Sequence, residues 1–115
     1  GDALIVRTGS LRAYRSGEPQ VRSWPGLSAD CVDWVKEKKL SVLGADNMAV
    51  EVIPSEVPGV ATPLHTGLMF GEGVLFVELL DLEEVAGRTF EAMLTINPLR
   101  ITGGTASPVA PMLLY

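Results

Sequence analysis

An apolar strand, a helix and a second apolar strand follow one another before Asn47, and this order leaves few folds open. Parallel neighbours in a sheet need a connection long enough to hold a helix, so the order points to an α/β crossover. Ala3-Leu4-Ile5-Val6-Arg7 is an apolar run stopped by Thr8-Gly9, and it reads as a buried strand. Ser28 stands where it can cap a helix over 29–39, with Leu27, Cys31, Trp34 and Val35 on one stripe at helical spacing. Asp30 near its start and Lys36, Lys38 and Lys39 near its end are in the order the helix dipole favours. Leu40 to Gly44 then reads as a strand ending at Asp46.

Elsewhere the punctuation is mostly glycine and proline. Ser10 to Ser23, with Gly17 and Pro19, reads as a loop, and Trp24-Pro25-Gly26 as a turn. Asn47 to Ile53 is read as an extension of the sheet, and Pro54 to Ala61 as a loop. Thr62-Pro63 has the cap-then-proline order of a helix start, which predicts a helix to about Phe70, ended by Gly71 or Gly73. Val74 to Leu80 reads as a strand. Asp81-Leu82-Glu83-Glu84 has capping-box spacing and predicts a short helix. Thr89 to Ile96 and Leu99 to Thr102 read as strands, and Val109 to Tyr115 as a last strand or tail. No repeat or internal boundary interrupts residues 1–115, which read as part of a single domain.

Composition narrows the classes of function. Hydrophobic residues make up 47% of the chain, enough to bury a core and argue against disorder. A net charge of −5, with nine scattered Lys and Arg residues, disfavours nucleic acid and anionic membranes as partners. No apolar run approaches the ~20 residues of a membrane helix. The single cysteine, Cys31, excludes an internal disulfide and fits a reducing, cytoplasmic compartment. Its place on the helix stripe makes it a core thiol rather than a nucleophile.

Two residues stand out as candidates for chemistry. His65 is the only histidine, in the first turn of the helix that Pro63 opens. Alone, it reads more readily as a hydrogen-bonded structural residue than as a ligand. Glu78 lies inside Val74-Leu75-Phe76-Val77-Glu78-Leu79-Leu80. A buried carboxylate must be protonated, paired or metal-bound, unless it sits at the strand end and meets solvent or an arginine. A helix start carrying His65 and a strand end carrying Glu78 can lie side by side, and an imidazole with a carboxylate suits zinc or manganese. Asp46, at a strand end, reads as a turn carboxylate or as an outer partner for a ligating histidine. Glu51 is a weaker candidate for the same role.

Several segments together resemble the cyclase / kynurenine formamidase-like family of metal-dependent hydrolases. Residues 1–9 resemble its GD-x-x-L-x-R-T-G strand, and Pro25-Gly26-Leu27-Ser28 with Trp34 its next helix. Residues 43–51 are similar to its G-x-D-N-x-A-V-E segment. Pro63-Leu64-His65 and Glu78-Leu79-Leu80-Asp81-Leu82 resemble its His-to-Glu stretch, and 97–109 its closing P-L-x-I-x-G-x-x-x-S-P, with Ala106 where a glycine is expected. The resemblance implies a β-rich, swivelling β/β/α fold, oligomeric in many members. It also implies a metal-activated water that attacks an amide, lactone or ester carbonyl of a small molecule. Metal ligands of the family map to His65 and Glu78.

The family's main metal motif, His-x-Gly-Thr-His-x-Asp, lies upstream of the segment matched by Gly1 and is absent here. The expectation is therefore a C-terminal half of the fold, inactive alone, whose zinc or manganese site is completed by an N-terminal half or a second chain. The alternative is a truncated or decayed relative that acts only as a folding or association module.

Overall fold

The computed structural model describes residues 1–17 and 23–115. Three short parallel strands form the centre: β1 (Ala3–Val6), β2 (Val42–Ala45) and β3 (Leu75–Val77), in the order β1-β2-β3. Leu4 lies opposite Leu43, and Leu43 opposite Phe76, so these three share one face. Ile5, Gly44 and Val77 are likewise in register on the other. The helices are α1 (Ser10–Arg15), α2 (Cys31–Lys38) and α3 (His65–Phe70). The last is the π-helical part of a helical stretch over 63–72. A separate antiparallel ribbon pairs β4 (Met93–Thr95) with β5 (Met112–Leu114). Among the described residues no helix is long and apolar enough to cross a membrane.

The core occupies the Leu4–Leu43–Phe76 face. Val35 of α2, Leu64 and Leu68 of the third helix, and Leu43, Ala45, Val50 and Val74 form one buried cluster, flanked by Leu4, Leu27, Val32, Leu40 and Phe76. Burying a side chain such as Leu43 or Leu68 contributes about 1.5–3 kcal/mol. The opposite face meets a cavity of about 990 Å³, lined in part by Ala3, Ile5, Val77, Leu94 and Leu113. The C-terminal ribbon walls its far side and keeps much apolar surface exposed, including Met93, Met112 and Leu114.

The strand–helix–strand order is as the sequence implies, but several details differ. Ser10–Arg15 is helical rather than loop, because Leu11, Arg12, Ala13 and Arg15 are good helix formers; residues 18–22 of that loop lie outside the described residues. The buried positions of α2 are set by Val35 and, partly, Val32, while Trp34 is 44% exposed. Ser28 makes no side-chain cap; its carbonyl accepts the Cys31 N–H instead. Asn47 to Ile53 does not extend the sheet as a strand. It turns, joined to the segment before α2 by the isolated bridges Leu27↔Glu51 and Trp24↔Ile53. Residues 83–87 form turns where a short helix was expected, and 99–102 is not a strand. The turn segment is tied back by ion pairs of Arg7 with Glu83 and Arg15 with Asp81, and Arg15 holds the Asp81 carboxyl below its ordinary range.

Gly26 fixes how closely the bridged segments approach. A Cβ there would lie 2.4 Å from the Glu51 carbonyl carbon and 2.6 Å from the Val50 carbonyl oxygen, both backbone atoms. Gly26→Ala should therefore lower stability by about 1–3 kcal/mol, the usual cost of overpacking, read as a lower urea midpoint at unchanged m-value. Gly1→Ala, which meets nothing within 4 Å, is the control and should leave the midpoint unchanged.

Candidate functional site

The site is built at the C-terminal ends of β2 and β3, where the chain leaves the sheet. Beyond β2, Asn47 is fully buried and organises a tight turn. Its Oδ1 accepts the Val50 N–H at 2.6 Å, and its Nδ2 donates to the carbonyls of Pro25 at 2.7 Å and Glu51 at 3.3 Å. This holds Val50 at φ 61, a left-handed conformation that is rare for a β-branched residue. The Glu51 N–H bonds the Ala49 carbonyl across it. The turn thereby aims Glu51 into the interior.

Glu51 is fully buried. Its Oε2 accepts the Leu64 N–H at 2.8 Å, and its Oε1 accepts the His65 N–H at 3.1 Å. The same Oε1 lies 2.5 Å from His65 Nδ1. Those backbone N–H groups belong to the first helical turn after Pro63, where such donors lack intrahelical partners and the dipole favours an anion. Thr62 gives no side-chain cap that the sequence suggested; Glu51, distant in sequence, takes that place. The ring thus rests on Glu51 through Nδ1, and Nε2 is its outward atom.

Nε2 faces Glu78, with Oε1 at 3.4 Å. Glu78 is the first residue past β3, and Leu79 follows it at φ 55, a second strained non-glycine position. Pairing with β2 resumes beyond it, Leu79 N–H to the Asn47 carbonyl at 2.9 Å and Leu80 N–H to the Ala45 carbonyl at 3.0 Å. Glu78 therefore leaves the ladder at a local bulge and stands beside the imidazole. Phe76 packs edge-on against the His65 ring, centroids 4.7 Å apart. The side chains of His65 and Glu78 are 24% and 36% exposed, so the pair opens to solvent on one side. Burial raises the Glu78 pKa above the ordinary carboxylate range, opposed by His65 and assisted by the nearby Glu51 charge.

His65 and Glu78 are thus brought together. Asp46 is not part of the group. It is 2% exposed, and its Oδ1 accepts from Thr8 N–H at 2.6 Å and Thr8 Oγ1 at 2.7 Å. Its Oδ2 accepts the Gly9 N–H at 2.7 Å. Its carboxylate fixes the turn that leaves β1, and the outer partner of His65 is Glu51 instead. The signal was present: Glu51 is a lone acid among Ala49, Val50, Val52 and Ile53, the same pattern that singled out Glu78. Among the described residues, no group of three or more His, Cys, Asp or Glu side chains is arranged to hold a metal ion. Cys31 is free and partly buried, as a packing thiol should be.

The family model described as "Putative cyclase" matches residues 1–52. A crystal structure titled as that of a novel cyclase matches the whole chain, with 31% sequence identity and a TM-score of 0.80. Both matches support a place for the chain in the cyclase family. It spans 40% of the length of that cyclase chain, and no curated protein matches it. The family model covers the strand–helix–strand segment through Glu51, and the cyclase structure aligns with the helix and strand that carry His65 and Glu78.

The raised pKa of Glu78 has a consequence for stability in the metal-free chain. Between the ordinary carboxylate pKa and its raised folded value, the folded state binds more protons than the unfolded one, so stability falls as pH rises through that window. Glu78→Gln removes this dependence. The variant should gain stability relative to the parent as pH is taken from below the carboxylate range to neutrality, measured by urea unfolding in the presence of a chelator. A constant difference between the two proteins across that range would refute it.

Proposed function

We propose that this chain contributes part of a divalent-metal hydrolase site, in which His65 Nε2 and the Glu78 carboxylate hold zinc or manganese. The reading rests on one observation: Glu51, His65 and Glu78 stand in line, with the ring bonded to a buried carboxylate through Nδ1 and turned towards a second carboxylate through Nε2. A ligating histidine commonly gives its other N–H to such a carboxylate, which fixes its tautomer and orientation. The donor set fits the ion. An imidazole nitrogen and a carboxylate oxygen 3.4 Å apart are donor types that zinc or manganese would take.

When bound, such a metal would lower the pKa of a coordinated water and polarise a carbonyl for attack. The protein's share lies in the surroundings. Glu51 fixes the ring, Phe76 covers one of its edges, and the bulge at Leu79 holds Glu78 beside Nε2. The substrates expected are small molecules with an amide, lactone or ester bond, as in kynurenine formamidase-like and other cyclase-like hydrolases. Two protein donors are fewer than the three of a typical catalytic zinc site. The remaining donors would come from other parts of a cyclase, in the same polypeptide or in a second chain of a homo-oligomer, within the complete swivelling β/β/α fold. A cytoplasmic setting suits the single free thiol.

A second reading, a non-catalytic relative that serves only folding or association, draws on the lack of a third donor among the described residues. The two separate in one titration series. Zinc and manganese binding should weaken by more than about tenfold in His65→Ala and in Glu78→Gln, on the scale seen when metal-site partners are lost. Where the rest of a cyclase supplies the remaining donors, hydrolysis of formamide, lactone and ester substrates should fall with it. Unchanged metal binding in both variants would overturn the hydrolase reading in favour of the second.

A further inference from the structure

The buried carboxylate of Glu51 is more than a helix cap. We infer that Glu51 is a positioning residue that holds His65 as the Nδ1–H tautomer, so that Nε2 is presented to Glu78 before any ligand arrives. The inference deepens the metal reading given above and rests on it for its functional meaning, but the tautomer itself is a property of the chain alone.

Three observations carry it. The first is the sharing of Oε1: one oxygen accepts both the His65 backbone N–H at 3.1 Å and the ring Nδ1 at 2.5 Å. The side chain is thus fixed relative to its own backbone by a common acceptor. The second is that Oε2 is engaged separately by the Leu64 N–H at 2.8 Å, so the carboxylate cannot rotate to release the ring without breaking a bond to the helix. The third is its fixed origin. Glu51 leaves a turn stitched by Asn47 and overlaid by Gly26, whose position has no room for a Cβ. A fully buried carboxylate held by three donors cannot shift to solvent when the ring tries to turn. A free neutral imidazole favours the opposite tautomer, with the proton on Nε2. The bond to Glu51 reverses that preference and leaves the Nε2 lone pair outward, the form a metal ligand requires.

The chain has one histidine, so its ring nitrogens give an unambiguous long-range proton–nitrogen spectrum. In the metal-free protein, at a pH where the ring is neutral, Nδ1 should carry the proton and Nε2 should show the signal of an unprotonated nitrogen. Glu51→Gln should return the ring to a mixed or Nε2–H state and weaken zinc binding by about 10–100-fold. A parent spectrum with the proton on Nε2, or with averaged tautomers, would overturn the inference. So would a Glu51→Gln protein that melts lower but keeps the Nδ1–H form, because capping alone would then explain the residue. Should Glu51→Gln fail to fold, the parent's Nδ1 proton decides. A downfield signal protected from solvent exchange supports the bond to Glu51, and its absence overturns it. Failure of the parent to bind metal, with the tautomer as expected, would remove the hydrolase reading and leave this one standing.

Discussion

The Glu51 carboxylate is the joint on which the candidate site depends. It is a full charge removed from water, a state that costs several kcal/mol if left unpaired. Three N–H groups offset that cost, and hydrogen bonds to a charged acceptor contribute about 1.5–3 kcal/mol each. All three come from Leu64 and His65, at the start of the helical stretch over 63–72. The turn after β2 and the helix before β3 are therefore bonded at a point where neither could satisfy its own polar groups. The apolar contacts of Val50, Leu64 and Leu68 surround this joint and keep water from competing for it.

Acidic and amide side chains at the end of β2 divide the work. Asp46 receives three bonds from Thr8 and Gly9 and sets the path out of β1. Asn47 shapes the turn that carries Glu51. Glu51 sets the helix and the ring. Each carboxylate near His65 also has a strained neighbour, Val50 before Glu51 and Leu79 after Glu78, both with left-handed backbones. Such positions cost of order 1–3 kcal/mol and persist only where the surroundings over-determine them. Here the over-determination is visible: Asn47 bonds the Val50 N–H with its side chain and the Leu79 N–H with its carbonyl. One buried asparagine thus serves both strained turns, one through its side chain and the other through its backbone.

What the sequence made legible follows from the range of the forces involved. Strands β1 and β2 and helix α2 are specified by local apolar runs and charge order, and they appear where those predict. Pro63 and the acid in Val77-Glu78-Leu79 are also local signals, and they brought His65 and Glu78 forward as a pair. The lone acid Glu51 among apolar residues signals burial, but its partner N–H groups lie more than ten residues away, so the local pattern does not name them. Asp46 has the turn role that its place at a strand end suggests, and only its alternative role as outer partner of His65 falls to Glu51. The C-terminal ribbon came out shorter than its apolar runs suggested. With Met93, Leu99, Ile101 and Leu114 exposed, residues there have little core to pack against, so strand propensity alone decides the pairing.

The geometry also bears on how such a site is completed. The sheet separates the His65–Glu78 pair from the cavity of about 990 Å³, because Phe76 faces the helices while Ile5 and Val77 face the cavity. The pair is therefore an edge site, not part of that cavity. Its inner side is closed by Glu51 and Phe76, and only the outer side, where His65 is 24% and Glu78 36% exposed, can admit another donor. In the reading proposed, donors from the rest of a cyclase would meet the pair on this exposed side. Orientation of the imidazole by Glu51 makes that approach direction a property of the fold, set before any partner or ion is present.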